Sequence, residues 1–270
     1  MSCRPIGIFD SGLGGLTAVK QLSKILPHEN IIYFGDTGRV PYGNRSKETI
    51  TKYALQDARF LLEYDVKMII AACGTASSVA VDLEAQLPVL YTGVVAPTAF
   101  AAAYSTKNKR IGVLGTSATI NSHSYSQQLK RRDNTLTVFE QSCPLFVPMV
   151  ENGVIQEDDD IVRLIVEKYL KNVKQQEVDT VVLGCTHYPL LKKSISLYMG
   201  NGVTLIDSGK ETAVYASKLL LENHLLNTEG RPGDRSFFVS DTPDGFSEIA
   251  GRFLGENIEH QVAQINIEDF

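Results

Sequence analysis

Two cysteines stand in matching contexts. Cys73 closes the apolar run Met68-Ile69-Ile70-Ala71-Ala72, and Cys185 closes Thr180-Val181-Val182-Leu183-Gly184. Small or hydroxyl residues follow each one, Gly74-Thr75 after the first and Thr186-His187 after the second. A lone cysteine at the end of a buried strand is ordinarily an inert core residue; the repeated context favours a working thiol. A free thiol has a pKa of about 8.5 and is only a few per cent thiolate at neutral pH, so it needs help. His187 lies two residues beyond Cys185, and Asp10 is a candidate to accept or guide a proton at Cys73. Chemistry that wants two thiols is the inversion of a stereocentre. A proton leaves one face and another arrives at the opposite face, so the base of the forward direction is the acid of the reverse. Two side chains of one kind meet that requirement in both directions.

Two further clusters are candidates for holding a substrate. Asp10-Ser11-Gly12-Leu13-Gly14-Gly15 sits between a strand-like and a helix-like stretch. A dinucleotide fingerprint would need a third glycine at position 17, which is Thr17. Two readings stay open: a tight strand-to-helix turn, or a helix start whose free N–H groups hold a small anion such as a carboxylate. Asp36-Thr37-Gly38-Arg39-Val40-Pro41-Tyr42-Gly43-Asn44-Arg45 is a long polar loop after a strand, and long loops in compact domains are often functional. Donors at Ser11, Thr75 and Thr186, with nearby backbone N–H groups, suit a carboxylate on which charge builds as a carbanion forms.

The elements that would position these residues alternate along the chain. Strands are expected at Ile6–Phe9, Ile31–Phe34, Val66–Ala71, Val89–Gly93, Ile111–Leu114, Leu136–Glu140, Val178–Leu183, Val203–Ile206 and Ser236–Val239. Helices are expected at Leu16–Leu26, Ser46–Glu63, Glu157–Val173 and Glu211–Glu222. The third opens with the acidic run Glu157-Asp158-Asp159-Asp160, followed by Ile161, Leu164, Ile165 and Tyr169 at helical spacing. Such alternation predicts an α/β fold with mainly parallel sheets. A weak internal echo, Ile6-Gly7-Ile8-Phe9-Asp10-Ser11 against Ile111-Gly112-Val113-Leu114-Gly115-Thr116-Ser117, points to two related lobes with one cysteine each. Ligands bind beyond the carboxyl ends of such strands, so facing lobes would set both thiols on one cleft.

Composition narrows the function. With 270 residues, 43% hydrophobic and 21% charged, the chain has the material for one large or two compact domains. Its net charge of -5 and the lack of a basic stripe argue against nucleic acid as a partner. Lys130-Arg131-Arg132 reads as the solvated end of a helix. The most apolar stretch, Leu87 to Tyr104, is interrupted by Gly93 and Pro97, so a strand and a short helix are expected there, not a membrane span. No apolar signal segment stands at the N-terminus, and a cytoplasmic location is expected. The four cysteines form no Cys-x-x-Cys pair, and Cys3 and Cys143 are read as structural or incidental.

The stretches IGIFDSGLGGLT, GDTGRVPYG, IIAACGTAS, VPMVENG and VVLGCTHYPLL closely resemble those of the glutamate racemases, within the aspartate/glutamate racemase superfamily. The resemblance runs from Ile6 to the Ile206-Asp207-Ser208-Gly209 segment. It implies two pseudo-symmetric flavodoxin-like lobes around a cleft, no cofactor and no metal, and supply of D-glutamate for peptidoglycan. The implied lobes are 1–97 with 207–270, and 98–206; a homodimer is compatible with it. Carried over, Cys73 and Cys185 are the acid/base pair, with Asp10 assisting Cys73, and His187 and Glu151 assisting Cys185. Substrate contacts fall to Asp10, Ser11, Pro41, Tyr42, Gly43, Gly74, Thr75, Thr116, Thr186 and His187. In the family Asn commonly follows the first cysteine; Gly74 stands here, without an amide to offer. Alternatives are a racemase of aspartate or another small amino acid, a Cys₂His zinc module of Cys73, Cys185 and His187, and a regulatory binding protein on the same scaffold.

Overall fold

The computed structural model describes residues 2–256, 258 and 261–270. The chain opens with β1 (Ile6–Asp10), α1 (Leu16–Ile25), β2 (Ile31–Gly35), α2 (Lys47–Leu62), β3 (Met68–Ala71), α3 (Gly74–Val79), β4 (Leu90–Gly93) and α4 (Val95–Ser105). It continues with β5 (Arg110–Gly115), α5 (Ser117–Asn121), α6 (Ser124–Arg132), β6 (Thr137–Ser142), α7 (Phe146–Glu151), α8 (Asp160–Gln175), β7 (Thr180–Leu183), α9 (Lys192–Met199) and β8 (Thr204–Asp207). It ends with α10 (Ser208–Glu222), β9 (Arg235–Val239), α11 (Pro243–Leu254) and β10 (Val262–Gln264).

The strands form two wholly parallel sheets, ordered β10-β9-β2-β1-β3-β4 and β6-β5-β7-β8. Parallel strands are covered on both faces, which is why their sequences are continuous apolar runs. β1, β2, β3 and β7 are buried at every position. The order β2-β1-β3-β4 in the first sheet repeats as β6-β5-β7-β8 in the second, so the internal echo in the sequence corresponds to a repeated topology. In each sheet the order reverses between the first and third strands of the repeat. That switch point opens a crevice at the strands' carboxyl ends, and Asp10-Ser11, Cys73, Thr116 and Cys185 all leave the sheets there.

Several expectations need correction. The stretch 87–104 gives a strand and an eleven-residue helix, α4, rather than a short one. α4 runs across residue 97 and packs Val95, Ala99 and Ala102 with Ile111, Val113 and Ile206 of the second sheet. The helix expected from Glu157 starts at Asp160, because Asp159 caps it by accepting from the Ile161 N–H. Its buried stripe is Val162, Val166, Tyr169, Leu170 and Val173, while Ile161 and Leu164 are exposed. α6 ends at Lys130-Arg131-Arg132, as expected of that basic run, whereas β10 and the helices α3, α5, α7, α9 and α11 are not among the expected elements. No described helix is long and apolar enough to cross a membrane.

Candidate active site

One cavity of about 290 Å³ collects the chemically interesting residues. Asp10, Ser11, Pro41, Tyr42, Gly43, Cys73, Gly74, Thr75, Thr116, Glu151, Cys185, Thr186 and His187 all line it. Ligand pockets span roughly 300–1,000 Å³, so a small molecule fits and a dinucleotide does not. Gly12, Val40, Asn44, Ser117, Pro144, Val147 and Pro148 complete the wall; Gly12, Val40 and Asn44 lie within the two candidate clusters of the sequence but were not singled out individually, and the other four were missed. Asn44 and Ser117 directly follow Gly43 and Thr116. Pro144 enters from the turn before α7, and Val147 and Pro148 from its first turn; a six-residue helix offers no periodic signal in the sequence.

Each cysteine is placed by a strand of a different sheet. β3 delivers Cys73, which caps α3; the Ala76 N–H donates to its sulfur at 3.4 Å. Its thiol donates to Ser11 Oγ, also at 3.4 Å. Burial, reinforced by the neighbouring Asp10 carboxylate, pushes the Cys73 thiol up to about 12. Asp10 is itself held above the usual carboxylate range by burial, although His187 and the N–H groups of Gly15 and Gly12 pull the other way. The Gly12 N–H donates to Asp10 Oδ2 at 3.0 Å, which fixes the carboxylate at the start of the turn.

β7 delivers Cys185 into a different setting. Its sulfur lies 3.7 Å from His187 Nδ1, and His187 Nε2 lies 3.1 Å from Glu151 Oε1. Burial alone would lower the His187 pKa. Hydrogen bonds to Cys185 and Glu151, with the charges of Cys185 and Asp10, outweigh it and raise the imidazole to about 10. The ring packs edge-on against Phe253 at 5.5 Å. A buried imidazole held towards its charged form therefore stands beside one sulfur, and the buried carboxyl group of Asp10 beside the other.

The lobes meet tightly at this cavity. Thr75 and Thr116 hydroxyls, one from each lobe, are 3.0 Å apart, and Thr17 Oγ1 donates to the Thr186 carbonyl at 3.0 Å. At Gly14 an added Cβ would lie 2.5 Å from His187 Nδ1 and would also strike Thr186 Oγ1. At Gly74 it would strike the Gly184 carbonyl oxygen. The amide that Asn would offer at position 74 is thus not merely missing: its side chain has no room.

Tyr42 is also not used as its type suggests. Its hydroxyl is directed to Asp36 Oδ2 and lies 2.9 Å from Asp57 Oδ2, both carboxylates being fully buried. Arg39 binds the same pair, with Nε 2.6 Å from Asp36 and a terminal nitrogen 2.9 Å from Asp57. The phenol therefore braces the loop from behind, and its hydroxyl is not free for a ligand. Among the described residues no three His, Cys, Asp or Glu side chains are grouped to hold a metal ion, so Cys73, Cys185 and His187 do not form a zinc set.

Comparison with known proteins agrees with this architecture. Residues 17–216 match the Asp/Glu/Hydantoin racemase family. A glutamate racemase of Geobacter metallireducens is 44% identical over 269 residues, spanning 99% of this chain and 98% of its own. One from Chlorobaculum tepidum is 46% identical over 94% of this chain and 93% of its own. The crystal structure of glutamate racemase from Francisella tularensis in complex with D-glutamate superposes with a TM-score of 0.92, at 38% identity and full coverage of both chains. Sequence, topology and the cavity between the sheets converge: this chain belongs to the Asp/Glu/Hydantoin racemase family.

Proposed function

We propose that the protein is an isomerase that interconverts L- and D-glutamate by a two-base mechanism, with Cys73 and Cys185 as the opposed groups. The observation that carries this reading is that two buried thiols, one from each sheet, line one small cavity. One sulfur, as thiolate, takes the α-proton while the other thiol delivers its proton to the opposite face of the same carbon; the reverse reaction exchanges their roles. Charge that builds on the α-carboxylate is met by hydroxyl donors at Ser11, Thr75 and Thr186, which line the same space. His187, braced by Glu151, serves Cys185, and Asp10 serves Cys73. The resting proton belongs on Cys73, whose thiol is pushed up to about 12. Cys185, beside the imidazolium, is the sulfur placed to act first as base. The lobes proposed are 1–97 with 207–270, and 98–206, and the product fits the supply of D-glutamate for peptidoglycan that the family resemblance implies.

The test is incubation of L-glutamate and, separately, L-aspartate in D₂O with chiral analysis. D-glutamate carrying deuterium at the α-carbon is expected. Cys73→Ser and Cys185→Ser should each lower kcat by roughly 10²–10⁴-fold, the usual contribution of a positioned acid or base. D-aspartate without D-glutamate would overturn the substrate, and a serine variant that racemises at the wild-type rate would overturn the mechanism.

A further inference from the structure

We propose that Gly74 is a positioning residue: carrying no side chain, it lets the lobes shut until its backbone meets the Gly184 carbonyl, and this contact sets the separation of the two thiols. The proposal rests on the two-thiol reading, since Gly74 adjoins Cys73 and Gly184 adjoins Cys185. The two glycine contacts across the seam differ in kind. At Gly14 an added Cβ meets side-chain atoms of Thr186 and His187, whereas at Gly74 it meets a backbone oxygen, which no side-chain rotation can move.

Nor can Gly184 retreat. Its N–H donates to the Leu114 carbonyl at 2.8 Å. Behind it there is no room to spare, since a Cβ added to Gly184 would lie 2.7 Å from the Leu114 oxygen and 3.0 Å from the Tyr125 ring. Tyr125 is fully buried. A side chain at position 74 is therefore accommodated by moving one lobe against the other. Restoring ordinary contact distance takes about 1 Å. Misplacing reacting groups by about 1 Å can cost on the order of 10²-fold in rate. Inversion needs both thiols within reach of one carbon, whereas exchange of the α-proton with retention needs only one.

The test compares Gly74→Ala with wild type, using Gly202→Ala as a control at a site where an added Cβ meets open space. Kinetics in both directions are combined with deuterium incorporation and with crystal structures of both proteins. The expected result has four parts. The kcat of Gly74→Ala falls on the order of 10²-fold, with a smaller change in KM. Deuterium appears in unreacted substrate relative to inverted product. The lobes stand measurably farther apart, while each lobe keeps its own core. A wild-type kcat, an unchanged lobe separation, or loss of folding in Gly74→Ala would each overturn the proposal, because the argument predicts displacement and not collapse. If wild-type protein inverts no amino acid, the racemase reading fails on its own, and the lobe separation in the two crystal structures still decides the role of Gly74.

Discussion

The two sulfurs are chemically alike and electrostatically unlike. Cys73 faces the buried Asp10 carboxylate, while Cys185 faces an imidazole raised to about 10. Glu151 is one of the causes of that rise, so Glu151→Gln should let His187 lose its proton at lower pH. In a pH–rate profile the alkaline limb is then expected to move down from about 10. An unmoved limb would show that Glu151 does not support His187. The sign for stability follows from the same shift. A histidine with an ordinary value of 6.5, raised to about 10 on folding, contributes fully below about pH 6.5, and its contribution is lost as pH rises through about 10. Much of this site was legible in the sequence, because Cys73, Cys185 and His187 directly follow apolar strands. Glu151 was not legible by pattern: it ends the short helix α7, which contains Pro148 and no repeat, and only family resemblance singled it out. Tyr42 was legible as a member of the cavity but not in its use. Residue type cannot reveal that its hydroxyl points inward, towards one carboxylate from its own loop, Asp36, and one from α2, Asp57.

Among the elements, the loop from Asp36 to Arg45 depends most on what lies behind it. Asp36 and Asp57 are both fully buried and share Arg39, with Tyr42 between them. Burial, then the neighbouring Asp36 charge, raises the Asp57 carboxyl well above its ordinary value, while Arg39 and the Tyr42 hydroxyl pull the other way. Arg39→Ala would leave Asp36 unpaired, and breaking a buried pair in this way costs about 3–5 kcal/mol. Asp57→Asn, which keeps Arg39 paired with Asp36 and removes one of two crowded carboxylates, should cost much less. Chemical denaturation of the two variants at neutral pH checks the order, and equal losses would show that Asp57 is as necessary to the cluster as Arg39. Elements with long apolar runs or clear amphipathic periods were readable in advance. β10 was not, being a three-residue edge strand whose only strong partner is β9. α8 shows a subtler limit. Ile161 and Leu164 keep helical spacing with Tyr169, yet they face outwards, because the stripe that meets the sheet is offset by one residue.

At the scale of the whole molecule, the six-stranded sheet draws strands from both ends of the chain, and the returning segment is anchored by a buried ion pair. Lys67 Nζ reaches Glu29 at 2.5 Å, the Leu225 carbonyl at 2.7 Å and the Ser2 carbonyl at 2.8 Å; Glu29 also accepts from the Asn227 N–H at 2.7 Å. Lys67→Ala strands the carboxylate and two backbone acceptors, so a loss of about 3–5 kcal/mol is expected. The measurement is denaturation alongside kinetics, and the rate constants of the folded variant should stay near wild type because none of these groups lines the cavity. That β9 and β10 would join the sheet of β1 to β4 could not be read from composition, since nothing in a strand's sequence records which sheet it joins. The unequal support of the two sulfurs has one further consequence. L- and D-glutamate have identical free energies in water, so a Haldane relation binds the kinetics: kcat/KM must be equal in the two directions, whatever the protein does. The His187–Glu151 pair on one face and Asp10 on the other can therefore show themselves only as compensating differences, a higher kcat matched by a higher KM in the same direction. No substitution on either face can make the enzyme accumulate one enantiomer; it can only redistribute the barrier between binding and turnover.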